Sequence, residues 1–117
     1  MKLTQTVQSG DWAKEKHVPS LAVEKVEGGY KVRAEVGSEI AHPNTLEHHI
    51  AWIKVFFQKE GSKFPVEVGS YTFSAHGEEE VCSAPVVEAK VLTEGKGSFY
   101  ALSYCNIHGL WENSVEC

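Results

Sequence analysis

Two short runs meeting at a double glycine constrain this chain more than anything else in it. Residues 21–27 (LAVEKVE) and 30–36 (YKVRAEV) alternate apolar with polar positions on either side of Gly28-Gly29. A period of two with a two-residue glycine turn is the signature of an antiparallel hairpin. The remaining β-rich runs fall at 50–58, 64–68, 71–75, 86–92 and 99–104, with turn signals at Gly61-Ser62, Gly69-Ser70, His76-Gly77 and Gly95-Lys96-Gly97. The run 50–58 (IAWIKVFFQ) is apolar on both faces, as a central strand would be. Seven short strands at this spacing, with almost no helical periodicity, predict an all-β fold, a seven-stranded antiparallel β-sandwich.

The 117 residues suffice for one domain, 1–117, and no internal repeat or linker divides them. No segment approaches the roughly 18 apolar residues of a membrane span. The first ten residues, MKLTQTVQSG, are too polar for the hydrophobic region of a signal peptide, so a cytoplasmic location is expected. A net charge of −5 argues against nucleic acid and anionic lipid as partners. Three cysteines, Cys82, Cys105 and Cys117, are an odd number and suggest no disulfide framework.

One of them has company. In CNIHGLW (105–111) a thiol and an imidazole stand three residues apart, and His17, His42, His48 and His49 lie upstream. Taken alone, the Cys-x-x-His pair could equally be a core cysteine beside a histidine. Pro19 favours extended geometry before it, which places His17 on a loop leading into the first strand. Between His42 and His48, six extended residues would span about 20 Å, and a helix would set them about 240° apart around its axis. Pro43-Asn44-Thr45 must therefore turn the chain, and one short helical turn is expected. All three blocks fall in loops or at strand ends, which can cluster at one end of a sandwich.

CNIHGLWEN (105–113), HPNTLEHHI (42–50) and GDWAKEKHVP (10–19) together resemble the superoxide reductases, namely the neelaredoxins and the C-terminal domain of desulfoferrodoxins. The three blocks recur in the same order with similar gaps. This resemblance implies an immunoglobulin-like sandwich and one iron held by His17, His42, His48 and His108, with the thiolate of Cys105 beneath them. It implies reduction of superoxide to hydrogen peroxide at an open face, electrons from a rubredoxin-like donor, and a homo-oligomer, a tetramer in the family. Glu15 would be a sixth ligand that departs on reduction, and Lys16 a cation near the open face. Five donors combining imidazole with one thiolate also suit a redox metal better than zinc.

Adjacent side chains tend to diverge, so at most one of His48 and His49 is expected to ligate; the family pattern selects His48, which leaves His49 to pack beside the site, and His76 is expected to be structural. Backbone N–H groups of Asn106 to His108 are expected on the Cys105 sulfur, and Trp111 beneath the turn. Leu46 departs from the family pattern, as does a short 76–85 segment. The alternative reading is a non-catalytic iron-binding or oxygen-sensing β-sandwich.

Overall fold

The computed structural model describes residues 1–117 as two antiparallel sheets and a small ribbon. The strands are β1 (Ser20–Val26), β2 (Gly29–Glu35), β3 (Ile50–Lys59), β4 (Val66–Thr72), β5 (His76–Glu78), β6 (Val81–Cys82), β7 (Val86–Leu92), β8 (Gly97–Cys105) and β9 (Gly109–Glu116). One sheet has the order β1-β2-β7, the other β4-β3-β8-β9, and β5-β6 stands apart. The only helical segment is a 3-10 turn at Leu3–Gln5.

Alternation explains which side chains meet. Tyr30, Val32, Ala34 and Val36 face inward from β2 and its end, and Phe99, Ala101 and Cys105 from β8 together with Ile50, Ile53, Val55 and Phe57 from the adjoining β3 complete the same core. Ile50 and Ile53 are both buried although three residues apart, because a bulge between Ile50 and Trp52 shifts the register against β8. That bulge lies next to the histidine loop.

Seven strands form the two main sheets, as expected, but they are not the same seven. The stretches 64–68 and 71–75 merge into β4, because Gly69 does not turn. It pairs with Val55 beside a register shift, with the Tyr71 ring where its own side chain would stand. The seventh strand is β9, paired with β8 from Ser98↔Glu116 to Cys105↔Gly109. CNIH is thus the turn of a hairpin, and Gly109 closes it at φ 84°.

The loop between β2 and β3 contains no helical turn. Instead Thr45 and His48 exchange backbone hydrogen bonds, Thr45 N–H to His48 O at 2.9 Å and His48 N–H to Thr45 O at 3.2 Å. This narrow turn reverses the chain within four residues.

Candidate metal centre

Three segments form the walls of one site at the end of the sandwich. The first is the loop before β1. Asp11 winds it by accepting the N–H groups of Lys14 and Glu15 on its carbonyl, and that of Ala13 on its carboxylate. Val18 and Pro19 are sealed in the interior, and Ser103 donates its hydroxyl to the His17 carbonyl at 3.5 Å. His17 is held from behind and only 7% exposed.

The 42–48 loop forms the second wall. Gly37, at φ 86°, packs against His42: a β-carbon there would come within 2.7 Å of the His42 backbone nitrogen. The third is the 105–109 turn, strapped to the second by Asn106. Its side-chain oxygen accepts the His49 N–H at 2.8 Å, its amide donates to Glu47 O at 2.9 Å, and its own N–H reaches His49 O at 3.2 Å.

The four imidazoles form a closed ring. Centroids are 4.8 Å apart for His17–His42, 4.7 Å for His42–His48, 5.0 Å for His48–His108 and 4.8 Å for His17–His108. The diagonal His17–His48 is longer, 6.3 Å, as in a square. Cys105 lies buried next to it, its sulfur 3.8 Å from His108 Nδ1. Donor atoms of His17, His42, His48 and Cys105 all lie within 4.8 Å of one another.

Protonation shows which nitrogens face inward. Nδ1 of His42 donates to Pro43 O at 2.7 Å, which leaves a lone pair on Nε2, and that atom is buried with no hydrogen-bond partner. Nδ1 of His17 donates to Glu15 Oε1 at 2.7 Å, which leaves its Nε2 as the nitrogen turned toward the other rings. That Nε2 lies 3.2 Å from His108 Nδ1, which is in turn 3.2 Å from His48 Nε2. Adjacent nitrogens bound at about 2.1 Å and right angles to one ion would be about 3.0 Å apart. The donors therefore fit a shared metal ion, and the unpartnered His42 nitrogen has no other use for its lone pair.

Electrostatics favour the same state. Desolvation, opposed by the Pro43 carbonyl and aided by His17, His48 and Lys16, pushes His42 down to about 4. His48 is lowered by desolvation, then by the charges of His108, His17 and Lys16. Both rings are neutral near pH 7 and available as ligands.

Other residues fall partly as expected. The Glu15 carboxylate is turned to the outer nitrogen of His17 and to its backbone N–H, and this hydrogen bonding holds it below the usual carboxylate range. Of the three expected N–H groups, that of His108 alone donates to the Cys105 sulfur, at 3.4 Å, and that of Asn106 is engaged with His49 O instead. Trp111 is buried against His17. The ring of His49 stacks on His76. Cys82 and Cys117 are free thiols. Gln8 carries no chemical signature in the sequence, yet it bridges to β9 through Leu110 O and Glu112 N–H and donates its side chain to His108 O.

Comparison with known proteins follows the same lines. Residues 9–114 match the Desulfoferrodoxin family model. A superoxide reductase from Pyrococcus horikoshii is 50% identical over 118 aligned positions, which cover 97% of each chain. A neelaredoxin from Megalodesulfovibrio gigas is 43% identical over 127 positions, covering 97% of this chain and 95% of its own. Among solved structures, superoxide reductase in the oxidised state has a TM-score of 0.92 at 47% identity and 98% coverage of both chains. Reduced neelaredoxin from Archaeoglobus fulgidus gives 0.90 at 49% identity, covering 95% of this chain and 97% of its own. With its donor blocks inside the matched span, the chain belongs to the desulfoferrodoxin family.

Proposed function

We propose that His17, His42, His48, His108 and Cys105 hold one iron per chain with one face open, and that the chain uses it to reduce superoxide to hydrogen peroxide. The chain is an oxidoreductase, a superoxide reductase by its family and by relatives at about 50% identity over nearly its whole length. The observation that carries the ligand set is the buried, unpartnered Nε2 of His42 within a ring of three further imidazoles.

When bound, the iron supplies a one-electron Fe(II)/Fe(III) couple, so that one superoxide, one electron and two protons give one hydrogen peroxide. The chain's own residues set the conditions. Neutral imidazoles and a single thiolate cancel only one of the two charges of a ferrous ion, so the pocket attracts an anion although the chain carries −5. The His108 N–H on the sulfur moderates its electron donation. Lys16, beside His17, adds a cation felt at His42 and His48. Glu15 holds the outer nitrogen of His17, and by the family likeness it would be a further residue able to hold the iron.

A small external donor of the rubredoxin kind, association into a homo-oligomer and a cytoplasmic setting belong to the same proposal, supported by the family likeness. No helix is long and apolar enough to cross a membrane.

Purified protein should contain about one iron per chain, with a visible thiolate-to-iron band that Cys105→Ser abolishes. It should consume superoxide only with a donor, forming peroxide without oxygen. Stoichiometric zinc after iron-replete expression, or a band indifferent to Cys105→Ser, would sink the assignment.

A further inference from the structure

His76 is a buried histidine outside the donor ring, only 6% exposed, at the start of the β5-β6 ribbon. Its Nε2 lies 2.8 Å from Phe73 O, and its Nδ1 lies 2.8 Å from Asn44 Oδ1. Both partners only accept. A carbonyl has no proton to give, and the Asn44 amide nitrogen is engaged, donating to Ser83 O at 2.9 Å, which fixes the side-chain oxygen toward His76. Both ring nitrogens of His76 thus lie within hydrogen-bond distance of oxygen atoms on two separate segments. The backbone N–H of His76 donates to the Glu78 carboxylate at 2.7 Å, chief among the contacts holding that carboxylate below its usual range and so anionic beside the ring.

These contacts span a gap between rigid and irregular structure. Phe73 continues β4, and its N–H is bonded to Ala51 O at the start of β3. Asn44 lies in the turn between His42 and His48, and its carbonyl also takes the Cys82 thiol at 3.7 Å. On the far side of the turn, the His49 ring lies flat on His76, 3.5 Å away and within 8° of parallel, while His49 Nδ1 donates to Thr45 O at 2.9 Å. Through His76 the four-stranded sheet grips the loop that carries two of the four imidazoles, at points before and after His48.

We infer that His76 is a positioning residue: bridging Phe73 and Asn44 through its two ring nitrogens and stacked on His49, it holds the 42–48 turn in the shape that aims His42 and His48 at the metal. The inference rests on the proposed ligand set and extends it to a residue that touches neither the metal nor the substrate. Partners that orient metal ligands change metal affinity by about 10- to 100-fold when removed. His76 acts one residue further out, so the low end applies.

The test uses iron-loaded protein challenged with excess chelator, reading the first-order rate of iron loss and the position of the visible thiolate-to-iron band. His76→Ala should lose iron about tenfold faster and shift the band. Asn44→Ala should act in the same direction, and the double variant should lose less than the sum of the two single changes, since both break the His76–Asn44 contact. His76→Gln, a smaller perturbation with one donating group, should fall between. Val91→Ala, a core change in β7, serves as a stability control and should lower the melting temperature without changing iron release. The inference is overturned if His76→Ala or His76→Gln keeps the wild-type release rate and band, or if the losses at 76 and 44 simply add. A wild-type release rate in His42→Ala would instead bring down the ligand set itself.

Discussion

Trp111 lies flat on the imidazole of His17, ring centroids 4.8 Å apart and planes within 15°. The same indole donates Nε1–H to His108 O at 3.2 Å, so one side chain braces histidines from two walls of the site. Trp111→Phe keeps an aromatic face and loses the hydrogen bond, an expected cost of about 0.5–1.5 kcal/mol. Trp111→Ala removes both, with a loss of about 3–5 kcal/mol. Denaturant unfolding of metal-free protein should show that order, and iron release should quicken in the same order.

His48 and His49 are neighbours with opposite duties. His48 Nε2 faces the donor ring, whereas the ring of His49 is stacked on His76. Metal analysis of purified variants should show His48→Ala depleted of iron and His49→Ala retaining it. The reverse result would mean that the loop register is wrong.

Acid should weaken the metal-free fold through His42. Its folded value is about 4 against an ordinary 6.5, so between those two pH values the unfolded chain takes up a proton that the folded chain refuses. Stability is then undiminished above pH 6.5, falls as the pH drops toward 4, and loses no more from this group below that. Melting curves of metal-free protein should show the decline, and His42→Phe, which has nothing to protonate, should flatten it.

Lys16 should act on encounter and leave binding of iron alone. Charges beyond a Debye length of about 8 Å are screened at physiological salt, so a cation beside the site outweighs the remote acidic surface. Lys16→Ala should slow the second-order reaction of superoxide with reduced protein by roughly threefold at low salt, and Lys16→Glu should slow it further. Rapid-mixing rates across a salt series would check this. Equal rates for wild type and Lys16→Glu would leave Lys16 an ordinary surface charge.

Alternation alone was enough to read β2 and β7, whose inward rows Tyr30-Val32-Ala34 and Val87-Ala89-Val91 are apolar throughout. It was not enough for β9, whose inward row Trp111, Asn113, Val115 is broken by an asparagine that donates to Pro19 O at 2.9 Å. Gly69 looked like a turn residue for the same reason: the Tyr71 ring that needs its empty side is invisible to local pattern.

The proposed donor set came from the likeness of its three blocks to a known family and not from local pattern, whereas their place in loops and at strand ends, which can meet at one end of a sandwich, was legible. The turn that unites His42 with His48 was not. Its shape depends on Asn44 reaching Ser83 and His76, 39 and 32 residues away, and no local rule contains those contacts. Asn106 and Gln8 were missed or misassigned likewise, since their partners lie across the molecule.

The separation of His17 from His108 by 91 residues governs when the centre can exist. A chain still being synthesised exposes each histidine block long before the 105–109 turn arrives, and a local pair such as His42 and His48 lacks the thiolate. Pairing of β8 with both β3 and β9 must come first, a non-local step that is slow to form. On the proposed ligand set, metal would therefore enter a nearly finished sandwich without nucleating it. By the same reasoning, fraying of the β8-β9 hairpin alone would withdraw the sulfur and one imidazole together, so release of iron is expected to precede global unfolding.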